Sequence, residues 1–153
     1  MGAEFGQLVQ FAENLRRAEQ GMTELKRQII VGEGVYAVRQ AKQICRDEEI
    51  IDTGNYRNNF HTDPNPVITP SSARIDVHNG ADYASHLEYG HLVVSRGGGS
   101  LHARRRAAME GGRFVRGKYV LTRAMQRTKD TQALRISRRL QAYLNRVFGG
   151  QTS

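Results

Sequence analysis

The chain has 153 residues, 39% of them hydrophobic, and its 23 Lys and Arg against 15 Asp and Glu give a formal net charge of +8. This length predicts one domain with a core of its own, and the basic excess favours an acidic or polyanionic neighbour. No apolar run approaches the roughly 20 residues that span a bilayer, and the N-terminus is unlike a signal peptide, so we expect synthesis in a cytoplasm and no membrane partner.

The N-terminal third, about residues 4–50, is predicted to be helical. Apolar residues recur at helical spacing in two runs, from Phe5 to Ala18 and from Met22 to Cys45. We expect the first helix to end near Gly21. The second should kink or change its packing partner at Gly32 and Gly34, because each glycine inside a helix costs about 1 kcal/mol relative to alanine.

The middle of the chain, about residues 53–90, is predicted to be a small antiparallel sheet. Val67–Thr69 reads as one strand, and Pro70–Ser72 supplies a turn. Residues 73–78 alternate between apolar and polar side chains, which is the period of a half-buried strand. We therefore expect residues 73–78 to form one strand that pairs with the strand before the turn.

Two short helical turns are predicted in the same segment. Asp52 or Thr53 can cap the first, which carries Arg57. Asp82 is a favourable N-cap for the second, and Gly90 can end it in a left-handed conformation. The second turn is therefore expected to form a short helix inserted into the sheet.

Residues 91–117 are predicted to form a flexible basic arm. Glycine runs interrupt any periodicity on both sides of Arg104, Arg105 and Arg106. Leu92–Val94 and Phe114–Val115 can pair as the two stems of a long hairpin. Taken alone, the segment could equally be a solvated linker.

The C-terminal part, about residues 118–148, is predicted to be a helix with a weak point at Lys129–Asp130 and an end at Gly149. Its apolar face continues from Leu134 to Val147. The other side is either a solvated face or one that meets DNA phosphates or an acidic subunit. This side carries Arg135, Arg138, Arg139 and Arg146.

No catalytic residue, metal site or cofactor is predicted. Cys45 is the only cysteine, and its apolar neighbours indicate a buried thiol rather than a nucleophile. His86 and His91 are five residues apart, not at the i, i+4 spacing of a zinc helix, and Gly90 should end the helix between them. We therefore expect a protein that is not an enzyme.

Two stretches resemble the signatures of the tailed-phage neck proteins, also called tail-completion or head-tail joining proteins. Residues 53–60, Thr-Gly-Asn-Tyr-Arg-Asn-Asn-Phe, resemble the family's Thr-Gly-x-Leu-Arg-x-Ser-Ile. Residues 83–90, Tyr-Ala-Ser-His-Leu-Glu-Tyr-Gly, resemble its Tyr-Ala-x-x-Val-Glu-Phe-Gly. Two motifs in this order, with a β segment between them, are more specific than either alone.

The layout after the second motif is also similar to that of the family, which places a variable loop, a Phe-containing segment and a C-terminal helix there. Phe114 and the helical residues after it occupy these places, so the resemblance covers most of the chain. Tyr56, Asn59 and His91 stand where Leu, Ser and Thr are usual, and the prolines expected around Phe114 are absent.

The resemblance implies an α+β structural protein of the virion, assembled as a homo-oligomeric ring in the neck between head and tail. Its partners would be the head connector or adaptor, the tail tube or terminator proteins and, without sequence specificity, DNA in the lumen. Framework roles fall to Thr53, Gly54 and Arg57 in the first motif and to Tyr83, Glu88 and Gly90 in the second. Candidates for contact with DNA or a partner ring are Arg104, Arg105, Arg106, Arg135, Arg138 and Arg139.

Two alternatives stay open. The chain could be the ring that caps the tail tube, which the same motifs would fit. It could also be a free nucleic-acid-binding protein without sequence specificity that uses the same arginines. Against the second alternative, the aromatic residues are not interleaved with basic ones in the way that base-stacking surfaces require.

Overall fold

The computed structural model describes residues 2–50, 54–93 and 113–149. Within these ranges the predicted α+β class is confirmed, with a long N-terminal helix, short antiparallel ladders and a C-terminal helix. The elements are α1 (Gly2–Asp47), α2 (Asn55–Asn58), β1 (Phe60–Thr62), β2 (Val67–Ile68), β3 (Ala73–Arg74), β4 (Val77–Asn79), α3 (Ala84–Tyr89), β5 (Gly90–Val93), β6 (Arg113–Arg116) and α4 (Val120–Phe148).

Helix α1 is continuous over 46 residues, so the predicted break at Gly21 is wrong. Gly21 lies against Tyr143 of α4, whose hydroxyl donates a hydrogen bond to the carbonyl oxygen of Ala18 at 2.8 Å. A Cβ atom at Gly21 would overlap that hydroxyl, and one at Gly32 would overlap the guanidinium of Arg139. These glycines therefore let side chains of α4 approach α1, and the packing outweighs their low helix propensity.

Helix α4 is also continuous, and no break occurs at Lys129–Asp130. It packs antiparallel to α1. Ala124 at its start shares the core with Ala41 near the end of α1, while Phe148 at its end lies beside Phe11, with ring centroids 6.0 Å apart. The helix pair therefore forms the long axis of the described structure.

The strands form three separate two-stranded antiparallel ladders rather than one sheet, pairing β1 with β4, β2 with β3 and β5 with β6. The predicted turn between β2 and β3 is confirmed, but residues 73–78 do not form one strand. Ile75 leaves the ladder and lies against Gly34 of α1. A Cβ atom added to Gly34 would be 3.1 Å from the Cγ2 atom of Ile75. The chain then changes partner, because β3 pairs with β2 and β4 with β1.

The hairpin predicted at the base of the arm is confirmed. β5 and β6 are antiparallel, with Leu92 opposite Phe114 and Val93 opposite Arg113. Val94, the last residue of the first predicted stem, and the rest of the arm up to residue 112 lie outside the described residues.

The main core lies where the end of α1 meets the start of α4 and the two motif segments. Ile44 and Cys45 are fully buried there, together with Val120 and Ala124. The prediction of a buried thiol at Cys45 is thus confirmed. None of the helices, over the parts that the structure describes, has a stretch long and apolar enough to cross a bilayer.

Candidate functional site

The second motif contacts the start of α4 through Glu88, which is only 6% exposed. One carboxylate oxygen, Oε2, accepts the backbone N–H of Leu121 at 2.9 Å. The other, Oε1, accepts both the backbone N–H of Thr122 at 2.8 Å and its hydroxyl at 2.7 Å. The first N–H groups of a helix have no partner within it, and the helix dipole favours negative charge there. Glu88 therefore caps α4 from a distant part of the chain.

This cap replaces a local one. The residue at the N-cap position of α4 is Tyr119, which has a left-handed backbone with φ of 51° and makes no side-chain cap. Its backbone N–H donates to the carbonyl oxygen of Glu88 at 3.1 Å, and that of Lys118 donates to Leu87 at 2.6 Å. The end of α3 thus holds the turn before α4 by backbone bonds as well as by the carboxylate.

Two glycines make this close contact possible. Gly90 ends the helix with φ of 90° and ψ of 172°, so its φ is positive but its backbone is not in the left-handed helical conformation that was expected. A Cβ atom on it would lie 2.5 Å from the carbonyl oxygen of Val115. A Cβ atom on Gly117 would overlap the carbonyl oxygen of Glu88. Sequence reasoning missed Gly117, although a lone glycine between a strand and a helix is a signal of close backbone approach.

The helix of the second motif begins later than expected. The N–H of Ala84 donates to the carbonyl oxygen of Ala81 at 2.9 Å, which closes a tight turn over residues 81–84. This turn leaves Asp82 exposed and puts Tyr83 at the N-cap position, without a side-chain cap. The prediction that Asp82 caps this helix is therefore wrong.

The first motif meets the second through aromatic rings. Tyr56 is 4% exposed, and its ring centroid lies 4.9 Å from that of Phe60 and 6.3 Å from that of Tyr83. Asn79 on β4 adds a polar link, because its Nδ2 atom donates to the carbonyl oxygen of Tyr56 at 2.7 Å. The structure therefore brings the two motifs together around one buried cluster.

The remaining residues of the first motif surround helix α2. Gly54, which is buried and has φ of 77°, occupies the N-cap position of this helix. Arg57 is half-buried, and a Cβ atom on Gly54 would lie 3.7 Å from its Nη2 atom. Asp52 and Thr53 themselves lie outside the described residues.

Beneath this cluster, burial raises the pKa of the Cys45 thiol from 9.0 to about 11. Burial likewise raises the pKa of the Tyr56 hydroxyl above its ordinary value. Both groups are therefore neutral at physiological pH, in keeping with a packing role rather than a nucleophilic one.

The raised thiol pKa predicts a loss of stability in alkali. Between pH 9.0 and about 11 the unfolded chain releases the Cys45 proton while the folded chain retains it. This group alone should then lower the free energy of unfolding by about 1.4 kcal/mol per pH unit. Urea denaturation at several pH values measures the slope. The Cys45→Ala variant should show a shallower fall over this range, and equal slopes in both proteins would contradict the prediction.

Arg135 forms a buried ion pair between the long helices. Its Nε atom donates to Oε1 of Glu33 at 2.9 Å and its Nη2 atom to Oε2 at 2.5 Å. Its Cζ atom also lies 3.7 Å from the ring centroid of Tyr36. The hydrogen bonds to Glu33 raise the pKa of Arg135 further above its ordinary value. This guanidinium therefore holds α4 to α1.

The predicted arginine face of α4 is consequently divided. Arg139 also faces α1, because its Nη1 atom donates to the carbonyl oxygen of Gln28 at 2.8 Å, whereas Arg138 and Arg146 are exposed. The prediction that Arg135 and Arg139 lie on the side away from the packed face of the C-terminal helix is therefore wrong. The two residues are one helical turn apart, on the side of α4 that continues from Thr128 and contacts α1.

The histidines near the second motif form ring pairs. His86 and His91 have ring centroids 5.2 Å apart, and His61 and His78 have centroids 4.4 Å apart. Within residues 2–50, 54–93 and 113–149, no group of three or more His, Cys, Asp or Glu side chains is arranged to hold a metal ion.

Comparison with known proteins gives one family. The model of the family described as "Bacteriophage HK97-gp10, putative tail-component" matches residues 10–90, which is more than half of the chain. The match begins in α1, includes both motifs and ends at Gly90. Neither the curated proteins nor the solved structures gave a match.

Proposed function

The chain belongs to the HK97-gp10-like family of bacteriophage tail components, and from this membership we propose that it forms a homo-oligomeric ring in the neck that joins the DNA-filled head to the tail. Its location is then the virion, and its partners are the head connector or adaptor on one side and the tail tube or terminator on the other. Copies related by rotation would close the ring through one repeated heterologous contact.

The observation that carries this proposal is that the family match contains both motifs. The structure uses their residues to build a rigid junction: Tyr56 packs beside Tyr83, and both carboxylate oxygens of Glu88 accept N–H groups of α4. Because these side chains are occupied by contacts within the protein, they support a structural role. The proposed mechanism is accordingly geometric, with no catalytic step.

The basic arm is proposed to contact DNA in the lumen or the neighbouring ring through Arg104, Arg105 and Arg106, which lie outside the described residues. The hairpin supports this assignment. Its last described pair joins Val93 to Arg113, and Arg113 and Arg116 on β6 are both exposed. The described base of the arm therefore already carries positive charge on its surface, which suits a phosphate backbone.

Changing Arg104, Arg105 and Arg106 together to glutamine should leave the melting temperature unchanged and lower the yield of joined, infectious particles. If the isolated chain binds DNA, a plot of log Kd against log salt concentration should have a slope smaller by up to about 2.7, since three fewer phosphates are neutralised. Complementation with variant protein and filter binding at several salt concentrations measure the two effects.

A matched control removes the same charge elsewhere. Arg27, Arg39 and Arg127 are exposed on the long helices, and changing these three to glutamine should leave particle joining intact. Equal losses in the two triple variants would show that net charge matters rather than the arm. A clear drop in melting temperature in the arm variant would assign the three arginines to the fold instead.

Quantitative mass spectrometry of purified particles tests the proposed function directly. The chain should be present at a fixed low copy number, about that of a single ring, and imaging should place it at the neck. A position directly on the end of the tail tube would indicate the ring that caps the tube instead. Intact, DNA-filled tailed particles that lack the chain would overturn the structural role.

A further inference from the structure

The N-terminal end of α1 exposes a group of large apolar side chains, here called the N-terminal patch. One member, Phe11, lies beside Phe148, the last residue of α4. The members before it extend past this end of α4, where no described element covers them. The N-terminal patch consists of Phe5 (72% exposed), Leu8 (65%), Val9 (49%), Phe11 (54%) and Leu15 (49%).

A second apolar group, here called the hairpin patch, lies on β5, β6 and the end of α3. Leu92 and Phe114 face each other across the ladder. Two-stranded ladders are marginal in water unless another surface covers them, and among the described residues neither outer edge of this one is paired. The hairpin patch consists of Tyr89 (66% exposed), Leu92 (44%) and Phe114 (62%). Val93 (46%) and Val115 (38%) are also exposed, but they lie on the opposite face of the ladder, because successive side chains of a strand alternate between its two faces.

The two patches lie at opposite ends of the helix pair. The hairpin is bound to the start of α4 through Lys118 and Tyr119, and that start packs on Ala41 near the end of α1. The N-terminal patch lies at the other end, beside Phe148. At 1.5 Å per residue, about 45 Å of α1 separates Ala41 from Phe11. One copy therefore cannot cover one of its patches with the other.

Area and charge favour a second copy of this chain as the partner. With about 200 Å² for an aromatic side chain and somewhat less for an aliphatic one, the N-terminal patch exposes on the order of 500 Å² and the hairpin patch on the order of 300 Å². A specific interface buries about 800 Å² per partner, so the two patches would form its apolar centre and the polar residues around them would supply the rest of the area. Pairing two hairpin patches would bring Arg113 and Arg116 of both copies together, whereas pairing unlike patches avoids that repulsion.

We propose that the N-terminal patch of one copy binds the hairpin patch of the next, so that copies associate head to tail. This contact would supply the interface between neighbouring subunits of the proposed ring. It rests on the proposed function only in that the series of copies closes into a ring. The contact is heterologous, because each copy contributes a different surface to each of its two interfaces.

Two double variants isolate the two surfaces. Phe5→Glu with Leu8→Glu removes apolar area from the N-terminal patch and keeps good helix formers near a helix start. Leu92→Thr with Phe114→Thr does the same for the hairpin patch and keeps residues that favour strands. The matched control is Met125→Glu with Leu134→Glu, which changes two exposed apolar residues of α4 that belong to neither patch.

Sedimentation velocity of the purified full chain over a range of concentrations measures association. The wild-type chain and the control should associate as concentration rises. Each patch variant alone should associate on the order of 100-fold more weakly. An equal mixture of the two patch variants should form dimers and nothing larger, since only one intact pair of patches remains in each mixed complex.

Other results would overturn the proposal. A wild-type chain that is monomeric at its highest soluble concentration excludes the contact, and a hairpin variant that still dimerises alone indicates pairing of like patches. Equal weakening by the control shows a general effect of charge. If Phe114→Thr unfolds the chain, Tyr89→Thr replaces it. If the chain is monomeric in solution but present in particles, the contact is excluded and the neck role is unaffected. If the chain associates but is absent from particles, the neck role is excluded and the contact is unaffected.

Discussion

Replacing Glu88 with alanine is expected to lower the free energy of unfolding by about 3 kcal/mol, because two N–H groups at the start of α4 lose a charged acceptor in a buried site. For a chain of this size the melting temperature should fall by roughly 6–12 °C. The two carboxylate oxygens accept the N–H groups of Leu121 and Thr122, and the N-cap residue Tyr119 makes no side-chain cap of its own. Thermal and urea denaturation followed by circular dichroism measure the change.

Glu88→Gln tests whether both oxygens are needed. Glutamine retains one acceptor and presents an NH₂ group to the other N–H, so its loss of stability should approach that of alanine. Glu19→Ala removes an exposed carboxylate from α1 and should change stability by no more than about 0.5 kcal/mol. A loss below about 1 kcal/mol in Glu88→Ala would mean that water replaces the carboxylate.

Replacing Arg135 with methionine should cost about 3–5 kcal/mol, since it leaves the carboxylate of Glu33 buried without its partner. The side chain of Glu33 is only 4% exposed, against 19% for that of Arg135. The double variant Glu33→Gln, Arg135→Met should recover a large part of this loss, because no unpaired charge then remains. A double-mutant cycle by urea denaturation measures the coupling.

Arg138→Met supplies the matched control, since Arg138 is three residues further along α4 and exposed. It should change the free energy of unfolding by no more than about 0.5 kcal/mol. If the Arg135 and Arg138 variants lose the same small amount, the ion pair seen between α1 and α4 does not persist in solution. An additive cycle would likewise contradict a direct interaction between Glu33 and Arg135.

These two buried carboxylates explain how a small core can hold such long helices in register. Glu33 binds Arg135 near the middle of the helix pair, and Glu88 binds the backbone N–H groups at the start of α4. Tyr143, near the end of α4, donates to the carbonyl oxygen of Ala18. Each polar contact has a fixed partner, so sliding one helix along the other would leave buried groups unpaired. A register fixed in this way keeps the two apolar patches at a constant separation, as the proposed contacts between copies would require.

Local patterns in the sequence predicted much of the fold. Helical spacing of apolar residues identified both helical regions, although not that α1 and α4 are each continuous. Turn residues identified the connection between β2 and β3, and the stems of the hairpin were found at Leu92 and Phe114. Cys45 is also buried as expected. The two motifs pointed to a phage family, and the match over residues 10–90 confirms it. Such features depend on residues a few positions apart, so they can be recognised from a single sequence.

Tertiary structure decided the rest, because the partners lie far apart along the chain. Gly21 ends a helix by propensity, yet Tyr143, more than a hundred positions later, packs into the space it leaves. Arg135 looks like a surface cation until Glu33 is placed beside it across 102 positions. Glu88 looks like one more helical carboxylate until α4, 33 positions later, presents its free N–H groups. The sequence by itself thus determined the elements and the family, whereas long-range contacts determined which glycines, carboxylates and arginines hold those elements together.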